Sequence, residues 1–443
     1  MADFIEPRLL KGFRDFLPAA EIARRSLVER IEASFRLYGF VPIDTPALEY
    51  TEILLGKGGG ETEKQVYRFR DNGERDVALR YDLTVPFARF VAQHRGELVL
   101  PFKRYHIAKV WRGENAQRGR YREFTQCDFD IVGSGGAAAD FEILLVMRNT
   151  LRDIGAGELR IHLNHRGLFN RFLERLGVQD KSVEILRAVD KIAKIGAEET
   201  GRLLAGIAGE AAAAGILEFT ARGRDEDFEK VLGRITELAG GENPDSGRLR
   251  LLRRFMADTG IAESFVLDPS ITRGLDYYTG IVYETFLVED PSIGSVCSGG
   301  RYDNLAGLYS RECIGGVGSS IGLDRLIASL ENRGKLQPRT SYAELAVACA
   351  EEGEAGRCQA LAALFRKRGI PCEVLIAPDG SPGDLTRQFI QAEKKGMRWA
   401  VILPGGLAEG GLGGNGLTLR DLRSRQNREG LTPEDVIRAL TGA

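Results

Sequence analysis

Basic side chains are concentrated in one stretch of the sequence. The stretch runs from Lys103 to Arg122 and contains Lys103, Arg104, Lys109, Arg112, Arg118, Arg120 and Arg122, with Glu114 and Glu123 close by. Arginine carries a permanent charge on a planar fork of N–H donors, which matches the oxygens of a phosphate group. One interpretation is therefore a site for a polyphosphate or an RNA backbone. The other is a solvated face of a strand and loop, the ordinary role of a run of charges.

A second candidate is the segment ITRGLDYYTGIVYE at residues 271–284, where Arg273 precedes two adjacent tyrosines, Tyr277 and Tyr278. In a strand, neighbouring side chains point to opposite faces, so one tyrosine would direct its hydroxyl into a pocket while the other packs. The alternative is a buried tyrosine pair in the core of a sheet.

Three other patterns carry less information. His162 and His165 form an H-x-x-H pair without a third ligand at a suitable spacing, which argues against a metal site. The GKGGGE segment at residues 56–61 lacks the spacing of a phosphate-binding loop and is predicted to be a turn or mobile loop. The glycines of GGVGSSIG, before Leu323, fit close strand packing as well as the approach of a phosphate.

The elements that position these residues are predicted from hydrophobic periodicity. Apolar residues recur every four positions between Ala19 and Tyr38, which predicts an amphipathic helix. Between Val77 and Val132, the stretches VALRYDLTV, FKRYHIAKVWR and REFTQCDFDIVG alternate polar and apolar residues as antiparallel strands do. A helix is predicted from Leu323 to Leu330. Together they indicate a sheet with flanking helices rather than a regular βαβ repeat.

The second half of the chain changes character twice. Residues from about 180 to 258 show helical patterns rich in Ala, Leu, Glu and Lys, which predict a helical insertion within the first domain. A linker, NRGKLQPR at 332–339, leads to a tail in which ELAVACA, CEVLIA and WAVILP are predicted strands with helices between them. That pattern is typical of a small parallel α/β domain. Gly405 to Gly416 is glycine-rich and predicted to be a mobile loop.

Composition limits the class of protein. The chain has 443 residues, 43% of them apolar and 28% charged, which excludes collagenous, fibrous and disordered classes and suits two or three domains. Its formal charge of −2 gives no global attraction for nucleic acid. The six cysteines lack a C-x-x-C or paired spacing, which favours a reducing, cytoplasmic setting. The start lacks a basic region followed by an apolar one, and no apolar run reaches about 18 residues, so we expect a protein that is neither secreted nor membrane-spanning.

Several segments together resemble the class II aminoacyl-tRNA synthetases, and among them the histidyl-tRNA synthetases, from about Arg8 to the C-terminus. The first helix and TPALE around Pro46 look like motif 1, FKRYHIAKVWRGENAQRGRYREFTQCDFDIVG looks like motif 2, and GSSIGLDRL looks like motif 3. RGLDYY at 273–278 and SGGRYDNL at 298–305 are similar to the two histidine-specific signatures of the family.

The resemblance implies an α+β fold. Residues 1–331 would form the class II catalytic domain, an antiparallel sheet of six strands with helices and the helical insertion, and residues 340–443 an α/β domain of the anticodon-binding type. Motif 1 implies a homodimer. The implied activity is that of a histidine–tRNA ligase, which activates L-histidine with ATP to histidyl-adenylate and transfers it to the 3′ end of tRNA(His).

The resemblance also implies roles for individual residues. Arg112 would hold the α-phosphate of ATP, with Glu114 in the same nucleotide site. Arg325 would hold the outer phosphates or the adenine, and Arg273 would be an extra catalytic arginine at the α-phosphate. Mg²⁺ would lie on the outer phosphates, with no metal ligands assigned among the side chains.

A further set of positions matches the amino-acid site of the family. These positions are Asp82, Thr84 and Gln126 for the α-amino group and its neighbours, Asp130 and Tyr278 for the imidazole, and Tyr277 and Tyr302 for the pocket lining. A carboxylate and a phenol satisfy both nitrogens of an imidazole. Leaving either group unpaired in a complex with another amino acid is costly, so the set favours histidine.

Two other functions remain alternatives. The regulatory subunit of ATP phosphoribosyltransferase resembles the synthetase catalytic domain and senses histidine, but it typically lacks the C-terminal domain and degrades the arginine motifs. Arg112, Arg273, Arg325 and the tail are all present here, which favours the enzyme. A class II synthetase for another amino acid would carry a different pocket in place of RGLDYY and Asp130.

Overall fold

The structure of the chain is a computed structural model. It describes residues 4–56, 63–221, 223, 226–272, 278–304, 306–336, 339–349, 351–375, 384–403 and 416–442. Contacts divide the chain into two compact units, one formed by Met1–Arg14 and Leu27–Lys335, the other by Asp15–Ser26 and Leu336–Ala443. Within the described ranges, no helix is both long and apolar enough to cross a lipid bilayer.

The strands and helices are numbered in chain order. The strands are β1 (Val41–Pro42), β2 (Leu48–Tyr50), β3 (Arg68–Arg70), β4 (Asp76–Leu79), β5 (Phe102–Trp111), β6 (Glu123–Val132), β7 (Leu159–His165), β8 (Phe265–Leu267), β9 (Ile281–Leu287), β10 (Cys297–Tyr302), β11 (Gly316–Gly322), β12 (Leu345–Ala348), β13 (Cys372–Val374), β14 (Trp399–Ile402), β15 (Leu417–Asp421) and β16 (Asn427–Leu431). The helices are α1 (Pro18–Leu37), α2 (Thr51–Leu55), α3 (Thr84–Gln93), α4 (Ala137–Asp153), α5 (Arg166–Arg175), α6 (Ser182–Val189), α7 (Ile192–Ala208), α8 (Glu210–Thr220), α9 (Phe228–Leu238), α10 (Pro244–Asp258), α11 (Leu323–Asn332), α12 (Ala355–Lys367), α13 (Leu385–Lys394) and α14 (Pro433–Thr441).

The first unit is built on an eight-stranded sheet in the order β1-β5-β6-β11-β10-β9-β7-β8. The six strands from β5 to β7 in that order pair antiparallel, whereas β1 and β8 pair parallel at the two edges. The expected α+β fold is confirmed, and the expected antiparallel six-stranded sheet is its centre. The edge strands are short, which explains why periodicity did not reveal them.

Apolar side chains on one face of this sheet pack against Phe35, near the end of α1, and against Phe40. Phe129 in β6 is completely buried, and its ring centroid lies 4.7 Å from that of Phe35 in α1 and 6.1 Å from that of Phe40. Tyr105 in β5 pairs with Phe129 in the strand register and also contacts Phe35, at 5.7 Å. Because side chains alternate along β6, this packing directs the residues on either side of Phe129 to the opposite face.

The prediction of a strand through VALRYDLTV was wrong beyond Leu79. Only Asp76–Leu79 is a strand, in a separate sheet of order β2-β4-β3, and helix α3 begins at Thr84. Asp82 Oδ1 accepts a hydrogen bond from the Val85 N–H at 3.1 Å, which satisfies a donor that helix formation leaves unpaired. Capping chemistry therefore decides the local structure where alternation suggested a strand.

Helices α6 to α10 occupy residues 182–258, which fits the helical patterns of that region. In the second unit, β13, β12 and β14 pair parallel as predicted, but β15 and β16 extend the sheet antiparallel. The prediction of a purely parallel domain was therefore incomplete. Most of the glycine-rich segment before β15, and most of GKGGGE, lie outside the described residues.

The packing of Phe129 gives a stability prediction. Phe129→Ala should lower the free energy of unfolding of the first unit by about 3–5 kcal/mol, because it removes a fully buried ring from the contact with α1. Phe129→Leu, the matched control, should cost less. The chain has two tryptophans, Trp111 in β5 and Trp399 in β14, so a Trp399→Phe background leaves Trp111 fluorescence as the probe in urea unfolding. Equal losses in the two variants would contradict this packing.

Candidate functional site

Polar side chains line the second face of the large sheet. The strand register determines which of them lie side by side in a row across the strands. Arg104 in β5 lies opposite Asp130 in β6, which lies opposite Gly318 in β11. Two residues along, His106, Asp128 and Ser320 form the next row, and then Ala108, Gln126 and Gly322. Gln126, Asp128 and Asp130 therefore project from the same face of one strand.

The centre of this face is a buried ion pair. Arg104 Nη2 lies 2.7 Å from Asp130 Oδ2, and both side chains are shielded from solvent, with 0% and 3% exposure. Tyr302 in β10 donates its hydroxyl to the other carboxylate oxygen, Asp130 Oδ1, at 2.6 Å. Burial raises the pKa of Asp130, while Arg104 and the Tyr302 hydroxyl act in the opposite direction. Asp130 is thus held by one cation and one phenol.

Glycines make room for these side chains. A Cβ at Gly318 would lie 1.8 Å from Asp130 Oδ1, and one at Gly316 would lie 2.5 Å from the Tyr302 ring. A Cβ at Gly300, in the adjacent strand, would lie 2.8 Å from the ring of Tyr278. All three glycines therefore leave room for side chains on this face, and for Gly316 and Gly318 this favours the close-packing interpretation of GGVGSSIG. They bring Tyr278, Tyr302 and Asp130 together.

Two further carboxylates are buried beside the ion pair. Burial raises the pKa of Asp82 to about 6 and the pKa of Asp128 to about 7. In both cases the positive charge of Arg104 lowers the pKa and the negative charge of Asp130 raises it. Thr84, half-buried, begins the helix that Asp82 caps. The site is thus rich in carboxyl groups, and a cationic or N–H-bearing ligand would favour their ionised forms.

A neighbouring cavity of about 140 Å³ is rich in arginine. Its lining includes Arg112, Glu114, Arg120, Gln126 and Arg325. Burial, and then the like charge of Arg120, lowers the pKa of Arg325 to about 10, so its guanidinium stays charged at neutral pH. Such a cavity suits a polyphosphate. This favours the phosphate interpretation for Arg112 and Arg120, whereas Lys109 and Arg118 of the same stretch are about half exposed.

The two regions are connected. Gln126 lines the cavity and also stands in the polar row of β6, where its Nε2 donates to Ser320 Oγ at 2.7 Å. Its Oε1 is buried and accepts no hydrogen bond from the described residues. Arg112, which extends β5, donates from Nε to the carbonyl of Tyr81 at 2.9 Å, next to Asp82. A ligand group could therefore reach from the acidic pocket into the arginine-lined cavity.

Sequence reasoning missed three residues of the site: Arg104, Asp128 and Asp324. Asp324, next to Arg325, accepts from the Thr125 N–H at 2.7 Å and pairs with Arg14, which stacks on Tyr121 of the cavity wall. Asp128 could have been found because it alternates with Gln126 and Asp130. Arg104 stands in the basic stretch, but its pairing depends on the register of three strands, which the sequence does not display.

Other residues singled out in the sequence have different outcomes. Arg273 and Tyr277 lie outside the described residues, and so their roles stay predictions. Tyr278 precedes β9 rather than lying in a strand. His162 Nδ1 lies 2.6 Å from Asp268 Oδ2, and His165 accepts from the Gly167 N–H at 3.2 Å, so each histidine has a structural partner.

Comparisons with known proteins agree with the sequence motifs. The family model described as Histidyl-tRNA synthetase matches residues 12–326. A histidine–tRNA ligase of Treponema denticola is 54% identical over 407 residues, covering 91% of this chain and 90% of that one. A crystal structure of histidyl-tRNA synthetase from Nostoc has a TM-score of 0.85 at 29% identity and covers 99% of this chain and 100% of that chain.

A Bacillus halodurans structure described as an ATP phosphoribosyltransferase regulatory subunit/histidyl-tRNA synthetase is also similar. It has a TM-score of 0.72 at 22% identity and covers 88% of this chain and 97% of that chain. This level of identity supports the shared fold alone.

The close fit at Gly318 can be tested by stability. Gly318→Ala should lower the free energy of unfolding by about 1–3 kcal/mol, because the new methyl group overlaps the Asp130 carboxylate. Gly322→Ala is a matched control on the same strand and face, since its Cβ would meet nothing closer than 3.7 Å. Urea unfolding of both variants measures the difference. If Gly318→Ala cost no more than Gly322→Ala, the Asp130 carboxylate would not occupy the space above Gly318.

Proposed function

The chain belongs to the histidyl-tRNA synthetase family, and we propose that it activates L-histidine with ATP and transfers it to the 3′ end of tRNA(His). The main observation behind the proposal is that two regions suited to different ligands adjoin each other on one face of the sheet. A buried carboxylate pocket around Asp130 suits an imidazole, and an arginine-lined cavity suits the phosphates of ATP. Gln126 lies where the reacting groups of both substrates would meet.

The amino acid would occupy the acidic pocket. Asp82, Thr84 and Gln126 would bind the α-ammonium group, which favours the ionised form of Asp82 despite its burial. Asp130 would accept an N–H of the imidazole, and the Tyr278 hydroxyl would serve the other ring nitrogen. Tyr277 and Tyr302 would complete the pocket, the latter through its bond to Asp130. The pocket thus offers a partner to each N–H donor and to the acceptor nitrogen of histidine.

ATP would occupy the cavity. Arg112 and Arg273 would contact the α-phosphate, Arg325 the outer phosphates or the adenine, and Glu114 would lie at the nucleotide site beside them. A histidine carboxylate oxygen would attack the α-phosphorus in line as the bond to the bridging oxygen breaks, giving histidyl-adenylate and pyrophosphate. The attacking carboxylate is already ionised, so no general base is needed, and positioning and charge stabilisation would carry this step.

Mg²⁺ fits this arrangement as a companion of the nucleotide. Within the described ranges, no three His, Cys, Asp or Glu side chains form a ready metal site, so the ion would be held mainly by ATP phosphates. Glu114, in the cavity wall, is the carboxylate that we assign to its hydration shell. When bound, the ion would supply positive charge to the leaving pyrophosphate.

Other parts of the chain would bind the tRNA and form the dimer. We assign residues 1–331 to the catalytic domain, with a helical insertion at about 180–258, residues 332–339 to a linker, and residues 340–443 to anticodon binding. Motif 1 supports a homodimer, and the cysteine usage supports a cytoplasmic location.

Pyrophosphate exchange tests the activation step directly. Purified protein should exchange labelled pyrophosphate into ATP with histidine and with no other standard amino acid. Arg112→Gln should reduce the exchange rate about 100-fold or more, because one charged contact to the transition state is lost. Arg118→Gln, in the same loop but half exposed and paired with Asp290, is the matched control and should exchange normally. Histidine binding without exchange in the unaltered protein would favour the regulatory alternative.

Asp130 should determine the affinity for histidine. Asp130→Asn keeps the size of the side chain but removes its charge, so KM for histidine should rise about 10- to 100-fold, as expected for a lost hydrogen bond to a charged group. Asp268→Asn removes another buried carboxylate, one that pairs with His162, and should leave KM unchanged. A fall in kcat with KM for histidine unaltered would exclude Asp130 as the imidazole contact.

A further inference from the structure

Arg104 is the largest side chain that the structure buries completely, with 0% exposure. It stands in the middle of β5, among the strands of the catalytic sheet, rather than at the arginine-lined cavity. A fully buried arginine is rare unless it is paired with a group of opposite charge. Its position therefore does not suit contact with a phosphate group.

The contacts of Arg104 are directed at the acidic pocket. Its Nη2 lies 2.7 Å from Asp130 Oδ2 and 3.5 Å from the carbonyl oxygen of Leu83. The guanidinium carbon lies 4.0 Å from the ring centroid of Phe87 in α3, which fixes the plane of the group. The Nε and Nη1 atoms are buried and donate to no oxygen among the described residues. The side chain is therefore placed for its charge and orientation rather than for its full hydrogen-bonding capacity.

The charges that face Asp130 come from several elements. On β5 the cation is Arg104, and on β6 the neighbouring carboxylate is Asp128. Asp82 adds negative charge from the segment before α3, where Arg112 lies close to it. Tyr302 from β10 and Tyr283 from β9 present phenols. In this described set, Arg104 is the cation that acts on all three aspartates.

We propose that Arg104 is a positioning residue for histidine selection, which holds Asp130 ionised and fixed so that the carboxylate accepts the imidazole N–H. This inference rests on the proposed function. With Arg104 on Oδ2 and Tyr302 on Oδ1, each carboxylate oxygen keeps a lone pair for a ligand donor. A protonated Asp130 would instead present an O–H donor. It would then pair with the imidazole nitrogen that lacks a hydrogen, the nitrogen assigned to Tyr278. Arg104 thus sets the pocket to accept hydrogen bonds.

A purely structural ion pair is the alternative, and the same sheet supplies a matched example. Arg301 in β10 pairs with Asp140 in α4 at 2.6 Å, with exposures of 5% and 1%. Arg104→Gln leaves the buried Asp130 carboxylate without its cation, whereas Arg301→Gln removes one of the two arginines that pair with Asp140, the other being Arg248. Both changes should destabilise the fold. Only Arg104, however, should change how histidine binding depends on pH.

The test compares Arg104→Gln, Arg104→Lys and Arg301→Gln by pyrophosphate exchange. In Arg104→Gln the pKa of Asp130 should rise, because the opposing cation is gone. KM for histidine should therefore increase about 10- to 100-fold near neutral pH, with a much smaller change in KM for ATP. The acid limb of the pH profile, where kcat/KM for histidine falls at low pH, should move to higher pH in Arg104→Gln. The value of kcat/KM should partly recover as the pH rises. Ionisation of free histidine is common to all variants and cancels in the comparison.

The controls separate positioning from folding. Arg104→Lys keeps the charge but loses the planar fork, so it should retain the unaltered acid limb with a KM raised only a few-fold. Arg301→Gln should lower the thermal midpoint and leave the acid limb where it is. If Arg104→Gln does not fold, the pH profile of Arg104→Lys is the test. A shifted acid limb in Arg104→Lys would overturn the inference.

Two other results would also overturn it. The first is an Arg104→Gln protein with the unaltered pH profile and the unaltered KM for histidine. The second is an equal loss for histidine and ATP that matches Arg301→Gln. Absence of exchange in the unaltered protein would instead count against the proposed function, and is therefore distinguishable from failure of this inference.

Discussion

Burial of charge on one face of the large sheet is the constraint on which the rest of the structure depends. Asp82, Asp128 and Asp130 are all withdrawn from water, and each would be costly without a compensating group. Arg104 supplies the shared positive charge, and Tyr302 supplies a hydrogen bond. The strand register and the glycine at position 318 are the conditions that let these groups meet.

The chemistry follows from that arrangement. A pocket in which a carboxylate is already desolvated and oriented can discriminate strongly, because a ligand without the matching N–H leaves a buried acceptor unpaired. The adjoining cavity is lined by Arg112, Arg120 and Arg325, and the Arg325 guanidinium stays charged at neutral pH although burial lowers its pKa. In the proposed reaction, the acidic pocket would select histidine and the arginines would stabilise charge on the phosphates, and Gln126 lies in both regions.

Much of this could be predicted from the sequence, and the failures have physical reasons. Alternation identified β5 and β6, and the resemblance indicated Asp130, Tyr278, Tyr302, Arg112, Gln126 and Arg325, which the structure gathers on one face or in the adjoining cavity. Alternation failed at Asp82, where a local hydrogen bond to Val85 favours a helix start. Arg104 was missed because its environment is created by neighbouring strands that are distant in sequence, whereas Asp128 alternates with Gln126 and Asp130 along β6 and could have been found. Arg273 and Tyr277 remain sequence predictions.

The most direct test of the account is a crystal structure of the protein with bound histidine. The imidazole should lie on the polar face of the large sheet, with one ring N–H within hydrogen-bonding distance of the Asp130 carboxylate while Arg104 and Tyr302 keep their contacts to it. Histidine bound away from this face, or an imidazole turned away from an undisturbed Arg104–Asp130 pair, would contradict the account.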